Sequence, residues 1–377
     1  MATIAEELSL LPFFAKVPRH ELDRAAPLFR REKFDTNELV WAQGAAVDEL
    51  AIVLLGELVA HANLREVGRI RAPDLIGEAG AFVAGSIRTA SVKAARPTEV
   101  LTLSVPDLRT LRFAKSRVYD ALLEQAQRSL CRRIAATNAR VAQVAQGATA
   151  AVARREPGAL VRLWRTLRPG LPSTPCPPVG PILRELPGLR HMEPELEELL
   201  AQGFAAEPFE EGRVLVLEGE VGSSMYLVAQ GDIDVLRNVR GDRAELLVRL
   251  GAGQQFGANT LVDPAPRTAS CVAATAGWLY RMDKDAFLGL RGDARTAWRE
   301  CVLATLATQL KSANAALDRA LVAGGVAAAP GAPEGGFDEL LRASGYLESL
   351  PRNESDLAEL SFVVTDDHER NRRRPKP

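Results

Sequence analysis

The chain has 377 residues, a length typical of two or three domains that each bury their own core. Its 47 Lys and Arg residues balance 48 Asp and Glu residues, so no overall field attracts nucleic acid or an anionic membrane. No apolar run approaches the roughly 20 residues that span a bilayer, and neither a basic N-terminus nor closely spaced cysteines indicate export, so we expect a cytoplasmic protein with no membrane partner.

The first predicted element is an apolar-periodic helix over about residues 10–27. Short apolar runs bounded by glycine turns follow, such as residues 38–41 and 49–55, and they are typical of β-strands. A long helix is predicted over about residues 107–145, and its apolar positions form a narrow seam: Leu123, Leu130, Ile134, Thr137, Val141 and Val144. The seam either covers its own β-domain or pairs with another helix in a dimer, and the sequence leaves both open.

The second half repeats these landmarks in the same order. Phe34 and Gly56 recur as Phe209 and Gly231, each 175 residues later. The corresponding elements are helices at about 182–202 and 283–322, with strands at 214–217 and 225–228 between them. The repeat predicts an α+β, mainly β chain of two β-roll or jelly-roll-like domains, each flanked by helices and ending in a long one.

Composition places the domain boundaries. The first domain is predicted at 1–145, and a Pro-rich linker with seven prolines follows at 146–181. The second domain is predicted at 182–322. A flexible Gly/Ala/Pro linker, a short docking helix at 337–350 and a basic tail are predicted for residues 323–377.

The stretch with the clearest chemistry is IGEAGAFVAGSIRTA, residues 76–90. Arg88 offers a planar fork that can donate two charge-assisted hydrogen bonds to a phosphate. Gly77 permits close backbone approach, and a short helix after it would point N–H groups at the same anion. Glu78 could accept a hydrogen bond from a ribose hydroxyl. The alternative without a ligand is that Arg88 merely pairs with Glu78.

This stretch resembles the phosphate-binding cassette of the cyclic-nucleotide-binding domain family, whose pattern is Gly-Glu-apolar-small, a turn, then Arg-Ser/Thr-Ala. The resemblance implies cAMP or cGMP as the ligand and no metal. It implies a binding role for five residues of the first copy: Gly77, Glu78, Ala79, Arg88 and Thr89.

The resemblance extends to the long helix and to the second copy. Thr137 and Asn138 stand where catabolite-activator-type members contact the base, although Asn138 departs from the hydroxyl those members carry. The second copy has Ala258 where the acidic residue is expected. A second, degenerate site with weak or absent binding is therefore implied at Gly257, Ala258, Arg267 and Thr268.

Scattered histidines and the absence of Walker and nucleophile-elbow motifs argue against an enzyme. The sequence favours a bacterial-type sensor that binds a cyclic nucleotide and signals, by helix rearrangement, to a protein partner or a homo-oligomer through 107–145 and 337–350. A ligand-independent scaffold is the alternative, and an inhibitor resembling a kinase regulatory subunit is less favoured. Nucleic-acid binding by the basic tail is the least expected of these functions.

Overall fold

The structure is a computed structural model that describes residues 3–83, 85–148, 172, 174–237, 245–262 and 266–323. The predicted docking helix at 337–350 and most of the predicted linker at 146–181 lie outside these residues. Both rolls belong to the same compact unit.

The first half is a six-stranded antiparallel roll with helices at both ends. Two helices precede it, α1 (Ile4–Leu10) and α2 (Arg19–Ala25). The strands are β1 (Phe29–Phe34), β2 (Leu39–Trp41), β3 (Glu49–Ala62), β4 (Arg65–Arg71), β5 (Asp74–Ile76) and β6 (Ser91–Ser104). Helix α3 (Glu78–Ala81) separates β5 from β6, and α4 (Val105–Phe113) and α5 (Arg117–Ala148) follow β6.

The strand order is β1-β6-β3-β4, with β2 paired to β6 and β5 paired to β3. The long strands β3 and β6 form the centre, where Ile52 lies opposite Leu101. Both side chains are fully buried and belong to the main apolar core. Burial of such large aliphatic side chains contributes about 1.5–3 kcal/mol each, so this strand pair anchors the roll.

The second half repeats this plan with two four-stranded antiparallel sheets, β11-β10-β13-β8 and β12-β9-β14-β7. Helices α6 (Val179–Glu185) and α7 (Pro194–Ala201) lead into β7 (Ala205–Phe209), β8 (Val214–Val216), β9 (Ser224–Gln230), β10 (Ile233–Arg237), β11 (Glu245–Leu250) and β12 (Gln255–Phe256). After these come α8 (Asn259–Val262), β13 (Ser270–Ala273), β14 (Gly277–Asp283), α9 (Lys284–Gly289) and α10 (Gly292–Ala323). The predicted α+β class and the duplication are confirmed.

The predicted continuous helices are wrong in detail, because each is interrupted. The helix predicted over 107–145 is α4 followed by α5, and Lys115 between them has φ +50°, a left-handed conformation that ends α4. The helix predicted over 10–27 is likewise broken by Pro12 and Pro18, which lack the N–H that a helix interior needs. Helix α6 begins at Val179, inside the predicted linker.

The corresponding pair in the second half shows the same break. The helix predicted over 283–322 is α9 followed by α10, and Gly292 at the junction has φ +54°. The helix predicted over 182–202 is α6 followed by α7, because Pro187 lies between the two segments and Pro194 begins the second. Proline and left-handed residues therefore set the helix limits in both copies.

The apolar seam of α5 packs against α10 of the second half. Its residues Leu130 and Ile134 share one buried core with Leu306 and Leu310 of α10. The same interface includes a hydrogen bond from Gln127 Nε2 to the carbonyl oxygen of Arg299, at 2.8 Å. Of the two alternatives left by the sequence, the seam therefore pairs mainly with another helix, and that helix belongs to the same chain.

Candidate functional site

A cavity of about 160 Å³ lies in the first roll, bounded by the roll itself, by α5 and by α10. Its walls include most of the predicted binding residues of the first copy: Gly77, Glu78, Ala79, Arg88, Thr89 and Thr137. Trp41 of β2 and Arg133 of α5 also line it. The fold thus brings together predicted residues that lie up to 60 positions apart in the sequence, from Gly77 to Thr137, and their role in binding a ligand stays a prediction.

Gly77 joins β5 to α3 and has φ +79°, where a side chain would strain the backbone. A Cβ atom there would lie 2.6 Å from Arg88 Nη1 and 3.1 Å from the Trp41 ring. Both the backbone conformation and the crowding therefore require glycine. This is the close approach that the sequence predicted, although here the glycine makes room for the arginine.

Arg88 is held by two contacts and is only 5% exposed. Its Nη2 donates to Asp48 Oδ1 at 3.1 Å, and its guanidinium carbon lies 3.6 Å from the centre of the Trp41 ring. Burial lowers the pKa of Arg88, and the Asp48 carboxylate opposes that shift. The alternative in which Arg88 pairs with Glu78 is wrong, because its counter-ion is Asp48.

One part of Arg88 is unsatisfied. Its Nη1 is buried and has no hydrogen-bond partner among the residues that the structure describes. A buried donor without a partner costs about 1–3 kcal/mol, and more when it is charged. An anion in the cavity would remove this penalty.

Glu78 is completely buried at the start of α3. Its Oε1 lies 2.9 Å from Nη1 of Arg133, although neither carboxylate oxygen makes a hydrogen bond of ordinary geometry within the described part of the chain. Burial raises the pKa of Glu78, and the charge of Arg133 opposes that rise. Arg133 also donates to the carbonyl oxygen of Leu75, so it fastens α5 to both ends of the turn around Gly77.

The far wall of the cavity comes from two helices. Thr137 of α5 and Asn314 of α10 both line it, and Thr137 Oγ1 lies 3.5 Å from Asn314 Oδ1. Asn138, which was predicted beside Thr137, is not among the lining residues, because adjacent helical residues point about 100° apart. The residue that lines the cavity beside Thr137 is therefore Asn314 rather than Asn138, and no local motif of the first copy could indicate Asn314.

The second copy arranges its cassette differently. Gly257 keeps the left-handed conformation, with φ +78°, and Ala258 is fully buried where the first copy has an acid. Arg267 donates to the carbonyl oxygens of Gly257, at 3.2 Å, and of Ser224, at 2.6 Å. Thr268 is exposed. The arginine of this copy is therefore satisfied by its own backbone, unlike Arg88.

Two further features bear on function. Within the described ranges, no three side chains of His, Cys, Asp or Glu gather in a way that could hold a metal ion. The helices described are too short or too polar to cross a membrane.

Two segments, residues 31–114 and 206–293, match the family model of the cyclic nucleotide-binding domain. The chain contains two tandem cyclic nucleotide-binding domains. The match confirms both the resemblance of the cassette and the duplication, and each matched segment covers the strands of one roll.

Relatives of the domains occur in proteins of different overall design. A CRP-like cAMP-activated global transcriptional regulator of Mycobacterium tuberculosis is 30% identical over 123 residues, which are 33% of this chain and 54% of the relative. A cAMP-dependent protein kinase regulatory subunit of Colletotrichum orbiculare is 33% identical over 110 residues, 29% of this chain and 27% of the relative. The chain thus spans about half the length of the first and about a quarter of the second.

Among solved structures, the regulatory domain of Toxoplasma gondii PKA with cAMP is 18% identical, with a TM-score of 0.28, over 78% of this chain and 93% of that one.

Proposed function

We propose that this chain is a cytoplasmic regulatory protein that binds cAMP or cGMP in the cavity of its first domain and has no catalytic activity of its own. The observation that carries the proposal is the unpartnered Nη1 of Arg88, which shares one cavity with the buried carboxylate of Glu78. A cation short of a partner and a carboxylate short of hydrogen bonds fit a ligand that offers an anion and a hydroxyl group. The transcriptional regulator and the kinase subunit described above are named for cAMP, which agrees with this choice.

The phosphate of the nucleotide would take the side of the cavity where Arg88 lies. Nη1 would donate to one phosphate oxygen, and the stack on Trp41 would keep the guanidinium in place. Asp48 is 80% exposed and can turn into solvent, so the phosphate would take its place on Nη2 at little cost. The bidentate geometry expected of an arginine–phosphate pair would then be complete.

The ribose would take the side where Glu78 lies. A carboxylate accepts a hydrogen bond from the 2′-hydroxyl only with its lone pairs free, and the charge of Arg133 favours this charged form of Glu78 against burial, which raises the pKa of Glu78. Arg133 belongs to α5, and its ion pair with Glu78 holds α5 against the cassette. A new hydrogen bond from the ribose to Glu78 would therefore alter this ion pair. A ligand shifts the position of α5 by its difference in affinity for the two positions, and a protein partner or a second copy would read that shift.

The second domain would bind no nucleotide. Its Arg267 already has two backbone acceptors, and Ala258 offers no acceptor to a ribose. This satisfied arginine is the observation in favour of a scaffold role for the second domain. A scaffold role for the whole chain is less well supported, because the first cavity keeps an unsatisfied cation.

Isothermal titration calorimetry of the full chain with cAMP, cGMP and linear AMP tests the proposal. We expect cAMP or cGMP to bind and AMP to bind much more weakly. Arg88→Ala should weaken binding at least about 100-fold, because a charge-assisted bidentate pair is lost. Arg71→Ala is the matched control, since Arg71 is an exposed arginine of the same roll outside the cavity, paired with Glu57.

The proposal fails if neither cyclic nucleotide produces heat or a thermal shift in the wild-type chain. It fails equally if Arg88→Ala binds as the wild type does. A complex with a partner that forms equally well with and without nucleotide would select the scaffold.

A further inference from the structure

Helix α10 lies in the second half of the sequence, yet it closes the cavity of the first domain. Leu310 and Asn314 both line that cavity. One turn beyond Asn314, on the same side of the helix, Asp318 contacts the turn between β3 and β4. Asp318 itself does not line the cavity, so it can act on a bound ligand only through the helix.

Both carboxylate oxygens of Asp318 accept a hydrogen bond, each from a different residue. Its Oδ1 accepts from Arg65 Nη1 at 2.7 Å, and its Oδ2 accepts from Asn63 Nδ2 at 3.1 Å. The Arg65 and Asp318 side chains are only 22% and 20% exposed. An ion pair that is partly shielded from water and held by a second hydrogen bond is stronger than an ordinary surface pair.

The turn that receives Asp318 is held rigidly. Asn63 and Leu64 have φ +50° and +67°, as in the two-residue hairpin turns that match the twist of the strands. The backbone N–H of Asn63 donates to Gln43 Oε1 at 3.0 Å, which fastens the turn to the loop after β2. The turn therefore presents Asn63 and Arg65 to α10 in a fixed position.

Apolar side chains support the same contact. Leu317 and Leu321 of α10 form a small buried cluster with Ala62 and Val67 of the β3–β4 hairpin. The polar contact of Asp318 lies between these two leucines in sequence. Such a patch fixes where α10 lies against the hairpin, and the ion pair fixes its orientation.

We infer that Asp318, Arg65 and Asn63 form a latch through which the second domain holds α10 over the first cavity and slows the release of a bound nucleotide. The inference rests on the proposed function of that cavity. It gives the second domain a role that needs no ligand of its own: it supplies one wall of the neighbouring site and the contact that keeps the wall in place. Asp318 is a positioning residue, because it acts through Leu310 and Asn314.

Stopped-flow release of a fluorescent cAMP analogue from the full chain tests the latch. Asp318→Asn should release the nucleotide about three- to tenfold faster, because α10 leaves the cavity more often. Its thermal midpoint should stay within about 3 °C of the wild type, since the apolar cluster remains. Arg319→Gln is the matched control, because Arg319 is the exposed neighbour of Asp318 on the same helix. This variant should release the nucleotide at the wild-type rate.

Two further variants separate a latch from a general loss of packing. Asn63→Asp places a second negative charge beside Asp318 and should also speed release. The exchange of charges, Arg65→Asp with Asp318→Arg, should restore a rate closer to the wild type than either single change. Faster release in the single variants without recovery in the double variant would overturn the latch, as would an unchanged rate in Asp318→Asn.

The outcomes also separate the latch from the function beneath it. If the wild-type chain binds no cyclic nucleotide, the proposed function fails. If the wild type binds and Asp318→Asn releases at the same rate, only the latch fails.

Discussion

At the scale of single residues, the sequence identified the groups of the cassette but not their partners. Gly77, Glu78 and Arg88 could be read from one short stretch, because their spacing follows a local turn and helix. Asp48 and Arg133, which pair with Arg88 and Glu78, lie 40 and 55 residues away from them in sequence. Such pairs depend on how strands and helices meet, and no periodicity in a single sequence reports that.

Gly77 allows a sharp prediction at this scale. Gly77→Ala should weaken nucleotide binding more than tenfold, because the new methyl group would displace the Arg88 guanidinium and strain a left-handed residue by about 1 kcal/mol or more. Titration calorimetry measures the affinity, and thermal unfolding measures the strain.

The matched control is Gly212→Ala. Gly212 has nearly the same φ, +78°, but nothing within 4 Å of the position of a Cβ atom. It should therefore show the strain without the loss of affinity. Equal affinities in the Gly77 and Gly212 variants would contradict the view that crowding of Arg88 matters.

At the scale of elements, the types of the elements that the sequence analysis located were right, and the limits of the long helices were not. Strands show alternation and glycine turns over a few residues, so β2, β3, β8 and β9 could be located in advance. The break between α4 and α5 could not, because Lys115 and its neighbours have no proline or glycine. Apolar periodicity continues across the break even though the backbone does not.

Lys115 provides the test at this scale. Its φ of +50° favours glycine over any residue with a Cβ atom. Lys115→Gly should therefore be more stable than Lys115→Ala by about 1 kcal/mol, measured as the free energy of unfolding in urea. Both variants lose the same exposed ion pair with Asp293, so the comparison isolates the backbone. A more stable alanine variant would show that the helices can join without strain.

At the scale of the whole molecule, the duplication was visible in the sequence, whereas the way in which the copies meet was not. The repeat predicted two rolls and two long helices. It left open whether the apolar seam of α5 packs against its own roll or against another helix. The structure fills the seam with α10 and brings Leu310 and Asn314 to the first cavity. The predicted homo-oligomer through α5 stays a prediction, and it would have to use other residues than this seam.

The two copies also differ in the contacts of their corresponding arginines, Arg88 and Arg267. Replacing each of them by lysine tests this difference. Arg88→Lys should nearly abolish nucleotide binding but cost little stability, because within the described structure Nη1 has no partner to lose and the partner of Nη2, Asp48, is an exposed carboxylate. Arg267→Lys should leave one nucleotide bound per chain with unchanged affinity. It should lower the free energy of unfolding by about 1–3 kcal/mol, because a single ammonium cannot keep both backbone acceptors in the same geometry.

Calorimetric stoichiometry and urea unfolding of both variants, beside the wild type, measure these two effects separately. Two nucleotides bound per wild-type chain, falling to one in Arg267→Lys, would show that the second copy is a working site. One nucleotide per chain, with binding lost in one variant and stability lost in the other, would mean that duplication has divided two tasks between the copies. The first copy would keep its arginine for a ligand, and the second would use its arginine to hold the domain that closes the cavity.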